Sequence, residues 1–269
     1  MENKKIAVLI DGDNAEANLI GSILNEAGKF GRVTIKRIYA DFTTQQMSVW
    51  KNQLNIFAIR PIQKFAYTKG KNSTDSALII DAMDIMHAKL VDGFCIVSSD
   101  SDYTGIAHRV REEGFFVMGI GQSHTPEAFV KACENFTYTE ILSPQPSVVF
   151  QTKEKSVAEK QDGKKEQTKT QKLPAIKIVG KIGLTNLITK KPINIDIVEK
   201  AFEMVYDELT GLAHASQLGS ALRKVDTTFD IRNYGHSSFR KFLEALKPRF
   251  EIVLRDEKQG QTIFVKRGA

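Results

Sequence analysis

Cysteine is scarce in this chain. Its 269 residues contain two, Cys95 and Cys133, each inside an apolar segment, with no CxxC spacing. None of the five histidines stands at metal-ligand spacing from another. These absences exclude a zinc-finger pattern and a disulfide framework, and they predict two reduced, buried thiols in a cytoplasmic protein. Long hydrophobic runs are missing too: no stretch approaches the roughly 20 apolar residues that span a bilayer. The N-terminus, Met1-Glu2-Asn3-Lys4-Lys5, leads into a short apolar strand rather than a signal peptide with a cleavage site, so no membrane partner is expected. Charge of one sign is lacking in most of the chain. The net +6 hides 15 Lys and Arg against 17 Asp and Glu in residues 1–142, 11 against 4 in residues 143–191, and 12 against 11 in residues 192–269. The basic excess therefore sits between two nearly neutral blocks. Such a segment suits a polyanion partner, and it equally suits a soluble, extended linker.

What is present from Lys5 to Leu142 is an alternation of apolar strands and helices. Strands are predicted at Ile6–Ile10, Val33–Tyr39, Ile56–Ile62, Phe94–Ser98, Phe115–Gly119 and Phe136–Tyr138. Helices are predicted at Ala15–Ala27, Gln45–Leu54, Ser73–Ala88, Thr104–Glu113 and Glu127–Ala132. This alternation means crossover units: an α/β fold with a mostly parallel sheet covered by helices on both faces. In such sheets ligands bind at the carboxyl ends of the strands. A composition break follows, with Pro144 and Pro146 and then a run rich in Lys, Glu and Gln, which reads as a disordered linker. Ile176-Lys177-Ile178-Val179 inside it could form a short strand or a docking segment.

Two acidic clusters stand out. Asp11-Gly12-Asp13-Asn14 follows the first fully apolar strand, and Ser98-Ser99-Asp100-Ser101-Asp102 follows the other. Asp75 opens the helix from Ser73. Any one of these residues could be a turn former or a helix cap. Two clusters, each after a buried strand, instead point to one cleft. Crowded carboxylates repel each other and resist ionisation, and a divalent cation relieves that repulsion. Mg²⁺ and Mn²⁺ take such hard oxygen ligands together with water and substrate phosphate. A metal so held can activate water for in-line attack on a phosphodiester, which needs no protein nucleophile.

These residues also carry a resemblance. Ile10-Asp11-Gly12-Asp13-Asn14, then Lys71-Asn72-x-x-Asp75-x-x-Leu78-x-x-Asp81, then Val97-Ser98-Ser99-Asp100-Ser101-Asp102-Tyr103 resemble, in that order, the NYN domain in its bacterial LabA-like branch, over about residues 4–142. The resemblance implies a PIN-like nuclease fold and metal-dependent cleavage of RNA. It implies Asp11, Asp75, Asp100 and Asp102 as the metal-binding set, with Asn14 positioning water or phosphate. Asp81 matches the motif but lies six residues beyond Asp75 on another helical face, so a salt bridge or cap contact is an equal reading. The role of Asp13 stays open. The loop Lys64 to Lys71, with Lys69 and Lys71, could track a phosphate backbone while Phe65 or Tyr67 stacks on a base, or could be an ordinary solvated loop. Gly119-Ile120-Gly121 echoes a nucleotide-binding loop but lacks the third glycine.

From Ile193 the helical period returns. Val198, Phe202, Val205 and Leu209 make one apolar face, behind a capping box from Asp196 to Glu199. Further helices start at Ser216 and Ser237, and the segments Phe250–Leu254 and Thr262–Val265 make a hairpin. Three helices and a hairpin form a small winged helix-turn-helix domain. Leu218-Gly219-Ser220-Ala221-Leu222, Phe229-x-x-Arg232-Asn233-Tyr234-Gly235 and Phe239-Arg240-Lys241-Phe242-Leu243 are similar to the OST-HTH, or LOTUS, domain. That similarity implies RNA binding, or protein binding in some members. Arg232, Arg240 and Lys241 are candidate phosphate contacts and Tyr234 a candidate stacking ring, each equally readable as a solvating or turn residue.

The expected organisation is thus a nuclease domain at 1–142, a basic linker at 143–192 and a winged-helix module at 193–269. The expected activity is that of a Mg²⁺- or Mn²⁺-dependent endoribonuclease acting on single-stranded or structured RNA. A homodimer is compatible with the PIN-like fold, and a protein partner is compatible with the C-terminal domain. The alternative is a catalytically silent RNA- or protein-binding regulator built from the same domains. A haloacid-dehalogenase-type phosphatase, suggested by Asp11-Gly12-Asp13, fits poorly because Asn14 and Ala15 follow the second Asp.

Overall fold

A computed structural model describes residues 4–65, 73–142, 191–257 and 260–268. The basic loop residues Tyr67, Lys69 and Lys71, and the segment Ile176–Val179 with nearly all of the expected linker, lie outside the described residues.

Six strands build the N-terminal half: β1 (Lys5–Asp11), β2 (Arg32–Ala40), β3 (Arg60–Gln63), β4 (Gly93–Val97), β5 (Phe116–Gly121) and β6 (Asn135–Tyr138). They form one sheet in the order β3-β2-β1-β4-β5-β6, and each neighbouring pair is parallel. The two fully apolar runs are the two central strands, because only a strand covered on both faces tolerates apolar side chains at every position. Ile6 to Ile10 and Phe94 to Val97 are all buried.

Helices α1 (Ile20–Gly28) and α2 (Trp50–Ile56) cover one face, packing Ile20, Ile23 and Trp50 against Val8, Ile10 and Cys95. Helices α3 (Ser73–His87), α4 (Thr104–Glu112) and α5 (Glu127–Ala132) cover the other, with Leu78, Ile85, Ala107 and Phe129 over Leu9, Ile96 and Val117. Both cysteines are buried and unpaired, as their apolar surroundings require, and burial pushes both thiols up, Cys133 to about 12.

Several boundaries differ from the sequence reading. The expected strand Ile56–Ile62 begins only at Arg60, since α2 runs through Ile56 and Ala58 turns the chain with φ 49°. The helix expected from Ala15 begins as a 3-10 turn at Ala17–Leu19 and becomes α1 at Ile20. The Gly119-Ile120-Gly121 echo has a packing origin. A Cβ on Gly121 would press into the Ser98 carbonyl and stand 2.7 Å from the Thr125 hydroxyl. Gly121→Ala is therefore expected to destabilise the fold by about 2 kcal/mol, read from urea unfolding, because backbone cannot yield as a flexible side chain can.

The C-terminal module contains α6 (Ile195–Glu203), β7 (Tyr206–Asp207), β8 (Leu212–His214), α7 (Ala215–Val225), α8 (Phe239–Ala245), β9 (Phe250–Glu257) and β10 (Gly260–Arg267). The antiparallel sheet runs β7-β8-β10-β9. Three helices and the β9–β10 hairpin are the expected parts, and the short strands β7 and β8 add to them. They also correct the first helix. Leu209, read as part of its apolar face, sits in the β7–β8 connection, 97% exposed. The cap differs as well: Asn194, not Asp196, is the N-cap, its side-chain oxygen accepting the Asp196 N–H at 3.0 Å. The module has its own core, centred on Phe202, Leu218, Leu222 and Phe242. The described residues of both halves belong to one compact unit. Among them no helix is long and apolar enough to cross a membrane.

Candidate active site

The strand order reverses between β1 and β4. Chain connections leave these two neighbours in opposite directions, which opens a crevice at their carboxyl ends. Asp11 is the last residue of β1, and Asp100 lies three residues past the end of β4. The chain turns sharply after Asp11, where the Gly12 N–H donates to the Tyr39 carbonyl at 2.9 Å. A Cβ on Gly12 would stand 2.8 Å from that of Ala40, so β1 and β2 require glycine there.

Asp11 is fully buried and surrounded by donors. Its carboxylate accepts from the Asp13 N–H at 3.2 Å, the Asn14 side-chain amide at 2.7 Å and the Ser98 hydroxyl at 2.8 Å. Burial nevertheless outweighs these contacts and raises its pKa. Ser98 links the two clusters, since its hydroxyl also accepts the Asp100 N–H at 3.1 Å. Asp100 in turn caps the turn Ser101–Tyr103 by accepting the Asp102 N–H at 2.9 Å.

Asp75 stands in the first turn of α3, where the helix dipole favours a carboxylate. The buried Tyr103 hydroxyl donates to it at 2.7 Å. Asp75, Asp100 and Asp102 each offer a carboxylate oxygen within 4.8 Å of the others. Asp75 is raised first by burial and then by the charges of Asp11, Asp100 and Asp102, against the lowering effect of Tyr103. Three of the four expected ligands thus converge. Asp11 is close enough to act on Asp75 through its charge, with its oxygens held by Ser98, Asn14 and the turn.

A set of carboxylate oxygens with neither sulfur nor imidazole suits Mg²⁺ or Mn²⁺. The crowding has a thermodynamic sign. A carboxylate whose folded pKa is raised binds its proton more tightly when folded, so the metal-free fold loses stability as pH rises through that pKa. Asp75→Asn is therefore expected to raise the metal-free melting temperature by a few degrees at neutral pH. The same change should abolish the stabilisation that a bound Mn²⁺ would give the unaltered protein, about 2.7 kcal/mol at a hundredfold excess over Kd. Thermal unfolding with and without Mn²⁺ reads both effects.

Two residues of this site had no role assigned from sequence. Tyr103 and Ser98 stand in the third motif, but their bonds to Asp75 and Asp11 reach across 28 and 87 residues. Asp81 faces away from the carboxylates. It forms an ion pair with Arg37 and accepts the hydroxyl of the buried Tyr39, anchoring α3 to β2.

The C-terminal candidates are dispersed. Arg240 is exposed and pairs with Glu244 at 3.3 Å, and Lys241 is exposed with its amine 3.2 Å from the Ser237 hydroxyl. Tyr234 is buried against Phe229 and Phe242, and burial, followed by the charge of Asp226, pushes its phenol up to about 12. Arg232 is held by Asp230 and Glu26.

Comparison with known proteins follows this division. Among solved structures, a protein of unknown function from Vibrio parahaemolyticus is similar at 19% identity and a TM-score of 0.42, covering 51% of this chain and 93% of its own. An uncharacterized protein from Nitrosomonas europaea gives 20% identity and a TM-score of 0.28, covering 39% of this chain and 93% of its own. MurG from Acinetobacter baumannii gives 14% identity and 0.35, covering 50% of this chain and 40% of its own. No curated protein matches. The family model for the OST-HTH/LOTUS domain matches residues 183–261, and that for the NYN domain matches residues 5–142, just over half of the chain. The chain belongs to the NYN domain family, a PIN-like nuclease family, with an OST-HTH/LOTUS domain following on the same chain.

Proposed function

We propose that this protein is a Mg²⁺- or Mn²⁺-dependent endoribonuclease. The observation that carries this reading is the convergence of Asp75, Asp100 and Asp102 at the β1–β4 crevice of a NYN domain. These three carboxylates would hold the ion directly. Asp11 and Asn14 would complete the site, Asp11 as a fixed negative charge behind it and Asn14 through the amide that already holds Asp11. A bound ion would supply the polarised water and neutralise charge on the phosphate. The protein's own part is to fix the carboxylates before substrate arrives: Ser98 orients Asp11 and the Asp100 loop, and Tyr103 orients Asp75.

The C-terminal module would supply RNA affinity. Arg240 and Lys241 are its exposed cations on α8, and Lys69 and Lys71, which precede Asp75 in the sequence, are further candidates. Residues 192–269 are close to neutral, so its contribution should be modest and sensitive to salt.

The test incubates the purified protein with end-labelled single-stranded and structured RNAs in Mg²⁺, Mn²⁺ or EDTA, with Asp100→Asn alongside. Cleavage that requires metal and disappears in the variant supports the proposal. RNA binding without cleavage of any substrate overturns it in favour of a silent RNA-binding regulator.

A further inference from the structure

Glu26 is a charged residue that the site described above does not use. It lies in the last turn of α1, at the far end of that helix from the Asp11–Asn14 turn, and it is only 5% exposed. A buried carboxylate needs a partner, and this one has two. Lys29, one turn away, reaches Oε2 at 2.8 Å. Arg232, from the C-terminal module, reaches Oε1 at 2.9 Å. The guanidinium is itself braced by Asp230, through Nε at 2.9 Å and Nη2 at 2.6 Å, so its fork arrives already oriented.

A second contact joins the same two regions without charge. β6 is the outermost strand of the parallel sheet, and an outer strand leaves backbone donors unpaired. The Phe136 N–H donates to the Thr227 carbonyl at 2.9 Å. Phe136 is buried, and Asp226 and Thr228, flanking Thr227, are buried too. Asp226 Oδ1 accepts the Thr228 N–H at 2.9 Å and its hydroxyl at 2.7 Å, which fixes the turn that presents Thr227.

We propose that the winged-helix module is a fixed subdomain, latched onto the nuclease sheet by Arg232–Glu26 and by the Thr227 cap on β6. Arg232 is then a docking residue rather than a phosphate contact. The consequence for RNA rests on the nuclease reading: an RNA held by the module meets the carboxylates at a set reach, and cleavage falls at a set distance from the bound element.

The experiment uses the full chain and needs no RNA in its first arm. Glu26→Arg and Arg232→Glu are made singly and together, and amide hydrogen exchange is followed at Phe136, with β1 and β4 amides reporting whether the sheet stays folded. The expected result is a protected Phe136 amide in the unaltered protein. Exchange should become at least about tenfold faster in each single reversal and return toward the original rate in the pair. Glu26→Gln, which removes the charge with little change of shape, should also accelerate it. A Phe136 amide that exchanges as an open edge does in the unaltered protein overturns the latch. So does a Phe136 amide that stays protected in every variant. In a second arm, the single reversals should broaden the lengths of the RNA products and the pair should narrow them again. Absence of all cleavage would overturn the nuclease reading, while the exchange data decide the latch independently.

Discussion

Asp100→Asn is expected to lower metal-dependent RNA cleavage by at least about 10³-fold, equivalent to about 4 kcal/mol of transition-state stabilisation. The size follows from position. Asp100 and Asp102 come from one short turn and Asp75 from α3, with a carboxylate oxygen of each within 4.8 Å of the others, so a bound ion would be held by two separate elements. Removing one negative charge would weaken the hold of this set on a divalent ion. The fold should tolerate the change. Asp100 is partly exposed, and an asparagine oxygen can still accept the Asp102 N–H that closes the turn. The measurement is single-turnover cleavage at saturating Mn²⁺, with circular dichroism to show that the variant is folded. Wild-type rates in the variant would remove Asp100 from the metal site.

The opposite pattern is expected at Asp81. Asp81→Ala should cost about 2 kcal/mol of stability, while the folded fraction keeps most of its activity per molecule. The change leaves the Arg37 guanidinium and the Tyr39 hydroxyl without their shared acceptor. Breaking a fully buried ion pair from one side costs about 3–5 kcal/mol. Here the Arg37 and Asp81 side chains are each 21% exposed, so water recovers part of that. Chemical unfolding combined with cleavage assays corrected for the folded fraction checks both halves. A large loss of activity in fully folded Asp81→Ala would bring Asp81 into the site after all. Asp75 and Asp81 stand on one helix and in one motif, so the pair separates a proposed metal-holding residue from one that braces the scaffold.

The sequence by itself determined a good deal of this. Two strands apolar at every position had to be covered on both faces, and acidic turns directly after them had to emerge at the sheet's carboxyl edge. Strand existence and the centrality of β1 and β4 follow from patterns that span only a few residues each, whereas the joining of Asp75 to Asp100 and Asp102 was implied by the family resemblance and is visible as convergence only in the fold. The helices of the C-terminal module were legible from the 3.6-residue period, although that period overran α6 and drew the exposed Leu209 into an apolar face.

Tertiary structure alone decided the rest. Six residues of helix turn Asp81 about 240° from Asp75, but only the neighbouring strand shows that Arg37 and Tyr39 wait on that side. Tyr234 looked like a stacking ring until Phe229 and Phe242 closed over it. Arg232 reads along the chain as a candidate phosphate contact, and only the fold pairs it with Glu26, 206 residues away. The physical reason is common to all three. Periodicity and turn chemistry are local and can be read along the chain. The partner of a buried polar or aromatic group is chosen by which surfaces the sheet order and the packing of the helices bring together.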